Sequence, residues 1–101
     1  MSIFFIQDIF RIVGVGTVLA GRVENGILRV GMRLNLNGEI MEVRAIEMDY
    51  KQVKESNEGD SIGVSIRLIR ENESILKKVF ANKNEEYNII KDYKNKRVEF
   101  L

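Results

Sequence analysis

Neither histidine nor cysteine occurs in the sequence. The commonest general base, the commonest metal ligand and every thiolate nucleophile are therefore missing. Aspartate, glutamate, lysine, tyrosine and serine remain, but no spacing gathers them into a catalytic constellation. The expectation is no catalytic residue, no metal site, no cofactor and no enzymatic activity. Gly14-x-Gly16 invites a phosphate-cradle reading, but a P-loop needs Gly-x-x-x-x-Gly-Lys followed by Ser or Thr. Here Thr17-Val18 follows and no lysine is present. The pair reads as a turn, and the chain alone is expected to bind no nucleotide. Lys77-Lys78 and Lys94 to Arg97 are the two basic clusters. They read either as phosphate contacts or as solvated surface. Arg22 and Glu24 share one face of a strand pattern, as an i,i+2 ion pair or as recognition groups.

The elements that must position these residues fit one domain. At 101 residues the chain can bury one core but not two, and 45% hydrophobic with 31% charged is a globular balance. Net charge is +1. Residues 82–101 hold five basic and four acidic side chains, leaving eleven of each in residues 1–81. Strong nonspecific nucleic-acid binding normally draws on an excess of cations, and here only folding could gather a local patch. Met1 to Asp8 lacks the basic n-region of a signal peptide. No apolar run approaches the ~20 residues of a membrane span. A cytoplasmic protein with no membrane partner is expected.

Short strands punctuated by glycine and asparagine follow one another. Ile3 to Val13 is broken by Gly14-Val15-Gly16, and Thr17 to Glu24 ends at Asn25-Gly26, a strong two-residue hairpin signal. After Ile27 to Val30, Met32, Leu34 and Leu36 alternate with Arg33, Asn35 and Asn37 as in a half-buried strand. Asn37-Gly38 is a second hairpin signal and leads into Glu39 to Met48, where a phase slip near Ala45 predicts a β-bulge. Ser56 to Asp60 is a turn cluster. Ile62, Val64, Ile66 and Leu68 alternate with Ser61, Gly63, Ser65 and Arg67. Val79-Phe80-Ala81 is expected to close the sheet after a turn at Glu71 to Lys77. Glu86 to Tyr93 fits a helix or a strand, and Arg97 to Leu101 reads as a strand.

About six strands with close glycine turns suggest an all-β sandwich or barrel. Gly21 and Gly63 lie inside strands, where glycine marks a bend or a close backbone approach, and closure also protects edges in a chain without proline. The expected fold is a small closed six-stranded Greek-key barrel over residues 1–81, with residues 82–101 as a C-terminal extension.

The run Gln7-Asp8-Ile9-Phe10, Gly14-Val15-Gly16-Thr17-Val18, Gly21-Arg22-Val23-Glu24-Asn25-Gly26 and Gly31-Met32 resembles the second domain of translational GTPases, the elongation factor Tu family. The resemblance continues through Val43 to Met48 and Glu58 to Val64, and more weakly through Ile75 to Ala81. It implies a six-stranded barrel, the architecture read above, without the family's nucleotide-binding domain. Asn82-Lys83-Asn84-Glu85 departs from the guanine-specifying Asn-Lys-x-Asp at its last position and reads as loop.

The resemblance implies RNA-binding positions for the aminoacylated end of tRNA at Asp8, Phe10, Tyr50 and Ser61. Phe10 reads either as a base-stacking aromatic or as core in phase with Ile12. Asp8 reads either as a recognition group or as an acceptor for turn amides. At three positions the sequence departs from the family pattern: Ala20 replaces a threonine, Tyr50 an arginine and Ser61 an asparagine. Loss of the arginine removes a phosphate contact, while Tyr50 retains a face for stacking. The expected function is a stand-alone, non-catalytic module that binds tRNA, ribosomal RNA or a translation factor protein. The alternative is a protein–protein adaptor with no RNA contact.

Overall fold

A computed structural model of the chain describes residues 1–69 and 85–101. Their strands are β1 (Ser2–Ile12), β2 (Gly16–Gly26), β3 (Leu28–Arg29), β4 (Arg33–Leu36), β5 (Glu39–Met48), β6 (Lys51–Val53), β7 (Glu55–Ser56), β8 (Ser61–Ile69) and β9 (Arg97–Phe100). A helix α1 (Glu85–Ile90) and a 3-10 turn (Lys91–Tyr93) precede β9. Among the described residues, six strands run β4-β9-β1-β2-β8-β5 around a cylinder, and β4–β5 pairing closes it. β6 extends β5 as a hairpin, and β3 pairs with β7 as a separate ribbon. Among the described residues, no helix is long and apolar enough to cross a membrane.

Alternation builds the core. Leu19 and Val23 of β2, Ile62, Val64 and Ile66 of β8, and Met41, Val43 and Ile46 of β5 all point inward and are buried. The phase of β5 slips where expected. Val43 lies opposite Ile66 and Ala45 opposite Ser65, so Arg44 is the extra residue of a bulge. A second bulge, at Gln7, has greater consequences. Ser2, Phe4 and Ile6 point into the barrel, but the register slips between Ile6 and Asp8. The even-numbered residues beyond the slip therefore face outward, and Phe10 and Ile12 are half exposed.

Asn37-Gly38 forms the predicted hairpin. Leu36 lies opposite Glu39, both turn residues have positive φ (54° and 92°), and the Asn35 side chain accepts from the Gly38 amide at 2.8 Å. Asn25-Gly26 does not join a hairpin. Gly26 remains in the β2 ladder opposite Ser2, and the chain runs on to β3, which pairs with β7. The glycine is needed there for close packing: a side chain would strike the Met1 carbonyl. The turn cluster at Ser56 to Asp60 forms as read, with Gly59 donating to the Val23 carbonyl and Val23 to the Asp60 carbonyl.

The strand expected at Val79-Phe80-Ala81, with the turn before it, lies outside the described residues. Within them, closure comes from β9. Ser2 faces Phe100 and Phe5 faces Arg97, while Arg33 and Leu101 exchange both backbone hydrogen bonds at 2.8 Å. The segment read as an extension thus supplies a stave of the cylinder. α1 settles the helix-or-strand alternative and closes one end of the barrel, with Ile90 fully buried. Glu86 fastens it there. One carboxylate oxygen accepts from the Thr17 amide at 3.2 Å and the other from the Leu68 amide at 3.1 Å. These two amides begin β2 and end β8, where the β2–β8 ladder runs out.

Candidate functional site

Partners in an antiparallel ladder point to the same face, so outward residues form rows across the wall. One row is Arg97, Phe5, Arg22 and Ser61 on β9, β1, β2 and β8. Next comes Asp8, Ala20, Gly63 and Glu47 on β1, β2, β8 and β5. A third is Phe10, Val18, Ser65 and Ala45 on the same four strands. With strands about 4.8 Å apart, each row spans about 14 Å. Small side chains at Ala20, Gly63, Ser65 and Ala45 leave the middle of the wall low. Phe5, Asp8 and Phe10 border it along β1, and Glu47 along β5.

Three of the four sequence-predicted residues, Asp8, Phe10 and Ser61, therefore share this wall. Phe10 is 48% exposed, so the core reading does not hold; the Gln7 bulge turned it outward. Asp8 accepts from the Ile9 amide at 2.9 Å and stands 3.5 Å from the Lys94 ammonium. Ser61 is exposed, opposite Arg22. Tyr50 lies beyond Glu47, at the tip of the β5–β6 hairpin, where Met48 faces Lys51. It is 97% exposed, with φ of 66° following 53° at Asp49. A two-residue turn with both φ positive normally carries Asn and Gly, so the ring is held outward at some conformational cost. Of the two basic clusters, Lys94 to Arg97 arrives beside Asp8, while Lys77-Lys78 lies outside the described residues. Glu47 and Phe5 were not singled out from sequence. Only the register across β1, β2, β8 and β5 reveals that they flank the same surface.

The charges on this wall hold one another in place. Glu24 pairs with Arg97 and, at 3.5 Å, with Arg22. The two guanidinium carbons stand 5.3 Å (Arg97) and 5.9 Å (Arg22) from the centre of the Phe5 ring, within cation–π range. The hydrogen bond from Arg97, helped by Arg22, holds the Glu24 carboxyl below its usual value of 4.5. A carboxylate whose pKa is lowered by folding stabilises the fold above its unfolded pKa, and that contribution disappears as pH falls through the lowered value. Glu24→Gln is thus expected to lower the urea midpoint at pH 7, and the gap from wild type should narrow as the pH drops below 4.5. Equal gaps at pH 7 and pH 3 would show that the ion pairs contribute nothing to the fold.

Comparison with known proteins identifies the family of the barrel that carries this wall. The family model for elongation factor Tu domain 2 matches residues 16–77. Elongation factor 1-alpha of Methanocaldococcus jannaschii is 47% identical over 64 residues, covering 61% of this chain and 15% of that protein. The Archaeoglobus fulgidus elongation factor 1-alpha is 37% identical over 90 residues, covering 87% of this chain and 21% of that protein. The crystal structure of translation elongation factor SelB from Methanococcus maripaludis, in its apo form, superimposes with a TM-score of 0.59 at 30% identity. It covers 67% of this chain and 15% of SelB. The chain thus spans between about a seventh and a fifth of the length of these relatives. A domain-length match to the family model, carried on the same closed barrel, establishes that the chain belongs to the elongation factor Tu domain 2 family.

Proposed function

We propose that this barrel is a non-catalytic binding module of the translation apparatus, acting in the cytoplasm, whose β1-β2-β8-β5 wall receives RNA. The aminoacylated acceptor end of tRNA is the ligand class favoured. The observation that carries the reading is the shared placement of Asp8, Phe10 and Ser61 around a low surface of Ala20, Gly63 and Ser65. An exposed aromatic gives a base somewhere to stack, and Asp8 and Ser61 offer polar groups to its edge or to a ribose. Tyr50 adds a second, preset aromatic at the rim.

The test is an NMR titration of the labelled protein with aminoacylated and deacylated tRNA at physiological salt. Shifts clustered at Asp8, Phe10, Tyr50 and Ser61 are expected, and their absence at tens of micromolar RNA rejects tRNA binding. Tyr50→Gly separates binding from folding. Glycine suits the positive φ, so stability should hold or rise. Loss of a stacking ring should weaken RNA binding by about 1–3 kcal/mol, roughly 5- to 150-fold.

A second reading rests on a different observation. Phe10, Ile12, Val13 and Val15 all expose apolar surface around the β1–β2 hairpin, as a protein-binding adaptor would. A partner, such as a translation factor, that survives nuclease treatment in a pull-down favours the adaptor. A partner lost with the RNA favours the first reading.

A further inference from the structure

We infer that the segment leading into β9 is the phosphate-binding rim of this wall, with Lys94 and Lys96 as its principal contacts and Arg97 and Arg22 beside them. The inference rests on the RNA-binding reading above and adds a separate site to it. Residues 91–97 (Lys-Asp-Tyr-Lys-Asn-Lys-Arg) carry four cations against Asp92 alone, in a chain whose overall net charge is +1. They also lie outside the span matched by the family model, residues 16–77.

The fold sets Lys94 and Arg97 on the aromatic border of the wall, beside Asp8 and Phe5, with Lys96 between them in the chain. The Asn95 amide donates to the Ile6 carbonyl at 2.7 Å, and the Ile6 amide to the Lys96 carbonyl at 3.0 Å, so the segment zips onto β1 at the Gln7 bulge. Lys94 lies 3.5 Å from Asp8 and is 53% exposed. The Lys96 ammonium sits 5.7 Å from the centre of the Tyr93 ring. Arg97 and Arg22 flank Phe5, and Glu24 fixes both guanidinium groups. Within the three rows of the wall, Arg22 is the single cation contributed by residues 1–69. The resemblance had placed an arginine where Tyr50 stands. A wall that stacks bases but carries one cation would grip a polyanion weakly, because backbone affinity comes from neutralised phosphates. The β9 segment makes good that deficit. Asp8 and Glu24 offset part of this charge, but they also hold the Lys94, Arg97 and Arg22 heads at the surface, where a phosphate can compete for them.

The experiment measures affinity for aminoacylated tRNA between 50 and 200 mM salt, for the wild type, for Lys94→Gln/Lys96→Gln, and for a control, Arg29→Gln/Lys54→Gln. The control removes Arg29 of β3 and Lys54, the residue just before β7, both outside the three rows. Each lost phosphate contact lowers the log–log salt slope by about 0.7 for a single strand. The rim variant should thus show weaker binding and a slope lower by about 1.4, with an unchanged urea midpoint, while the control keeps the wild-type slope. Wild-type binding with an unaltered slope in the rim variant overturns the inference and leaves the RNA reading standing. An equal fall in the control also overturns it, since net charge alone would then be responsible. No binding by the wild type removes both.

Discussion

Gly21→Ala should cost at least about 3 kcal/mol of folding stability or prevent folding altogether. A methyl group there would drive into the Phe5 carbonyl oxygen and come within 2.8 Å of the Phe4 ring. Neither neighbour can yield. The carbonyl belongs to β1, paired with β2 on one side and β9 on the other, and Phe4 is fully buried. Gly63→Ala is the matched control. It sits in the neighbouring strand with Val18 Cγ1 as its nearest neighbour at 3.6 Å, an ordinary contact. Its φ is not positive, so alanine should be neutral to stabilising, within about 1 kcal/mol. Urea unfolding followed by circular dichroism compares the two. Similar midpoints for both variants would mean that β1 and β2 are not packed this closely.

The second large effect is expected for Phe100→Ala. Phe100 is fully buried and meets Phe4 edge to face, with ring centres 6.3 Å apart and an interplanar angle of 76°. Truncating a buried phenylalanine costs about 3–5 kcal/mol, a large fraction of the ~5–15 kcal/mol that holds a domain folded. The damage should begin locally, because β9 has only four residues and its ring is the principal anchor. Amide exchange should accelerate first at Ile6, which donates to Lys96, and at Arg33, which donates to Leu101. The amides of the β2–β8 ladder should follow only when the whole barrel opens. Uniform acceleration would instead mean that closure and core form one cooperative unit.

Much of this architecture is legible in the residues, because a strand with one buried face must alternate. Ser61 to Leu68, the Asn37-Gly38 hairpin and the bulge near Ala45 can all be read directly. Three features escape, each for a physical reason. Asn25-Gly26 carries hairpin chemistry, yet β2 finds its partners in β1 and β8; local turn preference loses to packing against Met1. Phe10 reads either as core in phase with Ile12 or as an exposed stacking ring, and nothing in the residues around Gln7 announces the slip that turns it out. Glu86 reads as one polar residue among several in an ambiguous segment. Its role depends on two amides that come free only where two strands part. The candidate wall is legible in part for the same reason. Its residues appear one strand at a time, while their assembly into rows is a matter of register.

Closure by β9 also bears on how the chain is made. Its ladder joins Ser2 to Phe100, a separation close to the full length of the sequence, and such long-range pairing slows folding. During synthesis, β1 and β4 lack their β9 partner until residue 100 has been added and released from the ribosome. At ~5–20 residues per second that wait lasts several seconds. A nascent chain with two open sheet edges is prone to pair with its neighbours on the same polysome, so chaperone demand should fall on the interval before the last stave arrives.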